Sequence, residues 1–246
     1  MRKGYHALNE HFMGAKIAHR GLHSDTVSEN SLQAFRLAIE KGFAIEIDVH
    51  LLRDGEVAVV HDSDLARVTG QSVIVETLSS EELQNYPLKL NGEKIPTLRE
   101  TLALIDGKVP LLIELKFGKK FDKNQADAVL AQLAEYPYKD MIALQSFHPS
   151  AVRYLKKKSN DYSVGFLSTF HRNLDKFTTY ILKSLVLFDW MKADFVSYAI
   201  TDLPNKYVTK KQKQGYPLLV WTINTPERLE KALAIADGII FEKIEV

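Results

Sequence analysis

A few short segments carry the residues whose types and spacing could do chemistry. His19 and Arg20 stand side by side in Ala18-His-Arg-Gly21, and His61 precedes Asp62. Glu46 and Asp48 are two positions apart, as are Glu114 and Lys116. In a β-strand, residues i and i+2 share one face. If that face lines the inside of a closed sheet, four charged groups stand in low dielectric, at high cost unless paired. A bound cation is the least costly relief. Glu46, Asp48 and Glu114 form a hard oxygen set in a chain with no cysteine and no HExxH pattern, which suits Mg²⁺ or Ca²⁺ better than zinc. With Arg20 and Lys116 added, such a site keeps one net positive charge, which a phosphodiester monoanion would neutralise. Arginine is suited to bidentate phosphate contact. His19 and His61 flank the set, and histidine can act as acid or base near neutral pH. Metal, paired histidines and a cationic clamp together specify phosphoryl chemistry.

These residues are useful only if strands bring them to one place. Short apolar, β-branched runs occur at Lys16–Arg20, Ala44–Leu52, Val57–His61, Leu111–Lys116, Met141–Phe147, Tyr162–Ser168, Phe195–Ala199, Pro217–Asn224 and Gly238–Glu242. Helical patterns lie between most of them, at Asn30–Lys41, Leu98–Ile105, Lys123–Glu135, Pro149–Lys158 and Pro226–Ala236. This alternation predicts a parallel sheet with helices outside. The second and third runs are separated only by Arg53-Asp54-Gly55-Glu56. A parallel crossover needs about a dozen residues, so these two form an antiparallel hairpin. Setting the return strand aside leaves eight strands, the number in a (β/α)₈ TIM barrel, whose active site lies at the C-terminal strand ends. A turn centred on Asp54-Gly55 places His61 opposite Asp48. The chain reads as one domain over 1–246. Asp62–Arg99 reads as an insertion at the active-site mouth, and Phe170–Ala193 as a second long connection.

Composition narrows the classes. The net charge of +1 argues against a nucleic-acid partner. The first sixteen residues have early positive charge but no apolar core, so they do not form a signal peptide. No run of about 18 apolar residues would span a membrane. The reading is a cytoplasmic protein without stable membrane insertion, acting on a small molecule, with its oligomeric state open.

The ordered motifs resemble the glycerophosphodiester phosphodiesterase family, relatives of the phosphatidylinositol-specific phospholipases C. The resemblance runs from Ile17 to Phe241. It rests on AHRG at Ala18–Gly21, Glu29-Asn30, EIDVHLLRDGEVAVVHD at Glu46–Asp62, IPTLRE at Ile95–Glu100, ELK at Glu114–Lys116, Ser146-Phe147 and VWTIN at Val220–Asn224. It implies a (β/α)₈ barrel that hydrolyses glycerophosphodiesters to sn-glycerol 3-phosphate and an alcohol. It implies His19 and His61 as the acid/base pair, with His19 favoured as base. Glu46, Asp48 and Glu114 would be ligands of a divalent cation, Mg²⁺ or Ca²⁺. Arg20 and Lys116 would be phosphate contacts, and Trp221 an aromatic that packs on the glycerol. The nucleophile is the glycerol 2-hydroxyl or water. A lysophospholipase D, or another phosphodiesterase on this scaffold, is the alternative. One departure stands out: the family's DGIITDxP-type ending reads Asp237-Gly-Ile-Ile-Phe241-Glu242-Lys243 here. That puts in doubt any supporting role for the segment.

Glu29-Asn30 is read two ways, as part of the site or with Asn30 as a helix N-cap. Other features read as structural. Lys156-Lys157-Lys158 reads as a solvated helix end. Ile181–Trp190 reads as the inner face of a packed helix, with a lip for a lipid-like substrate as the second choice. Trp221 has a core reading beside its site reading. His6, His11, His23, His50, His148 and His171 are given no role.

Overall fold

The computed structural model describes residues 8–118, 120–170 and 176–246; His6 and His171 lie outside them. Every strand expected from the sequence forms. They are β1 (Lys16–Ala18), β2 (Ala44–Leu51), β3 (Val57–Val59), β4 (Leu111–Leu115), β5 (Ile142–Ser146), β6 (Ser163–Ser168), β7 (Phe195–Ala199), β8 (Leu218–Ile223) and β9 (Gly238–Phe241). All but β3 pair in parallel in the order β1-β9-β8-β7-β6-β5-β4-β2, and β1 pairs with β2 to close the ring. This is the expected (β/α)₈ barrel. Helices α1 (Leu32–Glu40), α2 (Ala66–Thr69), α3 (Ser80–Leu83), α4 (Leu98–Ile105), α5 (Lys123–Ala134), α6 (Pro149–Lys158), α7 (Lys176–Ser184), α8 (Phe188–Met191), α9 (Lys206–Lys213) and α10 (Pro226–Leu233) fill the connections. None of the helices is long and apolar enough to cross a membrane, among the described residues.

Strand alternation divides the apolar residues into two shells. On β2, Ile45, Ile47 and Val49 face outward into the core between sheet and helices. Ala44 faces inward with Ile17, Leu112, Ala143, Phe195, Leu219 and Ile240, and Phe12 joins this cluster. This apolar plug fills one end of the barrel. Glu46 and Asp48 follow Ala44 on the same inward face, toward the C-terminal mouth. A third cluster, with Leu65, Val75, Leu83 and Ile95, packs residues 62–99 against Ala58 and Val60 of the hairpin.

The hairpin forms one residue out of the expected register. Val49 pairs with Val59 and Leu51 with Val57. Asp48 accepts the Val60 N–H at 3.0 Å, so Val60, not His61, stands opposite it. The turn is the cause. Leu52 N–H donates to Glu56 O at 2.8 Å, which leaves a three-residue loop centred on Asp54. Gly55 takes the left-handed conformation (φ 91°) that three-residue hairpins require.

Two structural readings are corrected. The N-cap of α1 is Ser31, whose hydroxyl accepts the Ala34 N–H, and not Asn30. Of the lysine run on α6, Lys157 and Lys158 are exposed, but Lys156 is buried. Its ammonium meets Asp194 at 2.8 Å, because α6 turns that position onto the sheet. The Ile181–Trp190 reading holds in part. Leu182, Leu185 and Phe188 are core, while Val186 and Trp190 are exposed.

Candidate active site

Strand register assembles the acidic set. β2 and β4 are neighbours with Asp48 beside Glu114, and Glu46 lies two residues below Asp48. The three residues are 1%, 0% and 6% exposed for Glu46, Asp48 and Glu114. Each brings a carboxylate oxygen within 4.8 Å of the others. Two oxygens bound to one Mg²⁺ or Ca²⁺ stand at most about 4–5 Å apart, so this hard oxygen set fits a divalent cation. The electrostatics agree. Burial, and the crowding of Asp48 and Glu114, push the Glu46 carboxyl well above its ordinary range. Glu114 is raised too, by burial first. Burial also works against the Asp48 charge, but Lys116 and Arg20 outweigh it and hold Asp48 far below the usual carboxylate range.

The two cations are tied to these carboxylates. Lys116 Nζ lies 2.6 Å from Glu114 and 3.0 Å from Asp48. Arg20 Nε lies 3.1 Å from Asp48, and Arg20 Nη1 donates to Glu29 at 2.7 Å. The Arg20 backbone N–H also donates to Glu46, at 3.1 Å. Arg20 reaches these partners from a left-handed backbone (φ 56°). Such strain costs roughly 1–3 kcal/mol and concentrates at functional sites. The following Gly21 has no alternative. A Cβ there would stand 2.8 Å from Ala34 and Phe35 at the start of α1.

The two histidines are held alike. His19 follows β1, and its Nδ1 is 2.7 Å from Glu242 Oε2, just past β9. His61 lies two residues past β3, and its Nδ1 is 2.6 Å from Asp62 Oδ1. Both carboxylates are held ionised. The His19 hydrogen bond first, and then the nearby His23 imidazole, keep Glu242 well below the usual range. Burial raises Asp62, but His61 and Arg67 outweigh it. An ionised carboxylate only accepts, so each Nδ1 carries the donated proton, and each Nε2 is left to accept a proton or, in the imidazolium, to give one. Burial, first among the causes, holds both imidazoles below their ordinary value.

A cavity of about 110 Å³ at the mouth is lined by His19, Arg20, Glu46, His61, Glu114, Lys116 and Trp221, with Gln145 and Phe147. Asp48 is joined to its lining through Arg20 and Lys116. All eight residues singled out in the sequence therefore meet in one place. Trp221 combines its two readings: it is half-buried in the cavity wall, edge-on to Phe147 at 5.6 Å. A second, mostly apolar groove of about 690 Å³ shares Glu114, Lys116 and Phe147, and continues past Phe117, Ile181 and Leu187.

Several supporting residues escaped sequence reasoning. Asn30, read as a cap, is buried and donates to Asp48 at 3.0 Å. Glu29 joins Arg20 to Arg67 of the 62–99 segment, at 2.7 Å from each. Burial opposes the Glu29 charge, yet the two arginines hold the carboxyl at about 2. His50, given no role, reaches the His61 carbonyl at 3.1 Å and Glu76 at 2.7 Å. Gln145 pairs in register with Glu114 and was legible from strand parity alone. Glu242 was legible only as the departure from the family ending, and it keeps a supporting position, on His19.

Comparison with known proteins agrees with this fold. The glycerophosphoryl diester phosphodiesterase family model matches residues 19–246. A glycerophosphodiester phosphodiesterase from Caldanaerobacter subterraneus is 29% identical over 238 residues, covering 93% of this chain and 94% of that protein. The crystal structure of a glycerophosphodiester phosphodiesterase from Thermotoga maritima is 28% identical with a TM-score of 0.72, covering 93% and 94% of the two chains. An Oleispira antarctica phosphodiesterase, solved with the product sn-glycerol-3-phosphate, shares the fold at TM-score 0.80 and 23% identity, covering 95% and 94%. The chain belongs to the glycerophosphoryl diester phosphodiesterase family and is a phosphoric diester hydrolase of the glycerophosphodiester type.

Proposed function

We propose that the cavity hydrolyses glycerophosphodiesters to sn-glycerol 3-phosphate and an alcohol, with Glu46, Asp48 and Glu114 holding the Mg²⁺ or Ca²⁺ it uses. The observation that carries this is the pair of Nδ1-anchored histidines facing one cavity with the carboxylates, Arg20 and Lys116. When bound, a divalent cation supplies charge neutralisation at phosphoryl oxygens and polarisation of the P–O bond.

The protein's own groups do the rest. Arg20 and Lys116 orient the phosphoryl oxygens and stabilise the charge that builds there. His19 Nε2 accepts the proton of the nucleophile, which is a water, or the glycerol 2-hydroxyl, in which case a water then opens the cyclic phosphate to sn-glycerol 3-phosphate. Glu242 fixes the tautomer and favours the imidazolium that results. His61 acts in its cationic form: Nε2 carries a second proton and gives it to the leaving alkoxide oxygen, while Asp62 on Nδ1 favours that imidazolium. Trp221 and Phe147 offer aromatic surface to the glycerol carbons. Each proton-transfer group contributes about 10²–10⁴ in rate. His19→Ala and His61→Ala should each lower turnover of glycerophosphocholine by at least about 10²-fold with an unchanged melting curve. Full activity in His19→Ala would overturn the assignment.

The apolar groove supports a second reading, a lysophospholipase D. It opens from Glu114, Lys116 and Phe147 and offers Phe117, Ile181 and Leu187 to an acyl chain. Rates on glycerophosphocholine and lysophosphatidylcholine separate the two. Ile181→Asp should depress only the second if the groove takes the chain.

A further inference from the structure

His19, His23 and Glu242 form a second cluster, separate from the three carboxylates. Glu242 Oε2 is 2.7 Å from His19 Nδ1 and 3.6 Å from His23 Nε2. Nitrogen and oxygen donors of all three lie within 4.8 Å of one another. The His23 side chain is 9% exposed. Its Nε2 is buried without a hydrogen-bond partner. A buried imidazole nitrogen left unbonded beside a carboxylate at 3.6 Å has the layout of an incomplete ligand set. The His23 main chain is pinned, its N–H donating to Gly21 O at 2.9 Å. A groove of about 450 Å³, lined by His23, Glu242, Arg67 and Lys89, gives access from solvent.

The donor chemistry differs from that of the acidic set. Two imidazoles and one carboxylate are the ligands of zinc sites with an open fourth position, whereas three carboxylates suit Mg²⁺ or Ca²⁺. We propose that His19 Nδ1, His23 Nε2 and Glu242 bind a borderline transition-metal ion, Zn²⁺ foremost, and that its binding switches the enzyme off. The reason is the tautomer. A metal on Nδ1 takes the lone pair there, so the ring's proton resides on Nε2. That nitrogen then donates and can no longer accept the nucleophile's proton. Binding depends only on the three ligands. The inhibition rests on the reading of His19 as the base.

Equilibrium dialysis of Zn²⁺ against the enzyme in excess Mg²⁺ tests the site without reference to turnover. The wild type should take up one equivalent, and His23→Gln should bind at least about tenfold more weakly. Co²⁺ in place of Zn²⁺ should give visible absorption bands in the wild type that His23→Gln loses. Glycerophosphocholine hydrolysis, normalised to each protein's zinc-free rate, should show inhibition that shifts to at least about tenfold higher zinc in His23→Gln. The zinc-free rate of the variant also serves as its folding control. Equal zinc uptake by both proteins, or inhibition indifferent to His23 and relieved by more Mg²⁺, would place the ion on the acidic set and overturn the proposal. Uptake that depends on His23 but leaves the rate unchanged would overturn the switch. His19→Ala, assayed free of zinc, tests the base assignment separately.

Discussion

His19 Nδ1 stands 2.7 Å from Glu242 Oε2, a contact that joins residues 223 positions apart. It exists because β1 and β9 are parallel neighbours in the closed ring, with Ala18 beside Phe241. The next residue of each strand then emerges at the same edge.

This contact makes Glu242 a positioning residue. Glu242→Gln should lower kcat by about 10²-fold, through loss of the fixed tautomer. Burial already lowers the His19 pKa, and Glu242 partly restores it. Removing the carboxylate lowers it further, so the acid limb of the pH–rate profile, which reports protonation of the base, should move to lower pH. Glu242→Asp should restore part of the rate. An unmoved limb would count against the assignment.

Glu46 sets activity against stability. Its carboxyl is buried and crowded by Asp48 and Glu114. In EDTA, Glu46→Gln should melt about 2–4 °C higher than wild type for each kcal/mol of repulsion relieved. With Mg²⁺ or Ca²⁺ restored, the order should reverse and turnover should fall. Calorimetry in both buffers, with rates measured alongside, checks both halves. Activity of the wild type that ignores EDTA would remove the metal from the account.

Acid stability should depend on Glu29. Its carboxyl is held at about 2 against an ordinary 4.5. The sign follows from the depressed value: the contribution is complete above pH 4.5 and is lost as the pH falls toward 2. The shift corresponds to at most about 3 kcal/mol, less for partial solvent screening. Glu29→Gln should therefore be less stable than wild type at neutral pH, and the gap should narrow across that acid window. Urea midpoints at several pH values measure it.

Lys156 should be structural. Its ammonium and Asp194 are buried together, and Asp194 also accepts the Val164 N–H at 2.8 Å. Lys156→Met leaves an uncompensated buried carboxylate and should cost about 3–5 kcal/mol in urea unfolding. Lys157→Met, on the exposed side, should cost less than about 0.5 kcal/mol.

Much of the site was written in local sequence. The period of two placed Glu46 beside Asp48 and Glu114 beside Lys116 on one strand face, and that period does not depend on what surrounds the strand. Apolar runs and the Asp54-Gly55 turn marked every strand and the hairpin for the same reason: they express backbone preferences of adjacent residues. Local sequence could not decide relations that cross the ring. The hairpin register turned on whether the loop closes around two residues or three. Asn30 became a partner of Asp48, and Lys156 a buried ion, because neighbouring elements supplied their partners. The contacts of Glu242 with His19 and His23 arise only when the last strand closes against the first, since ring closure is what brings the two ends of the chain within hydrogen-bond range.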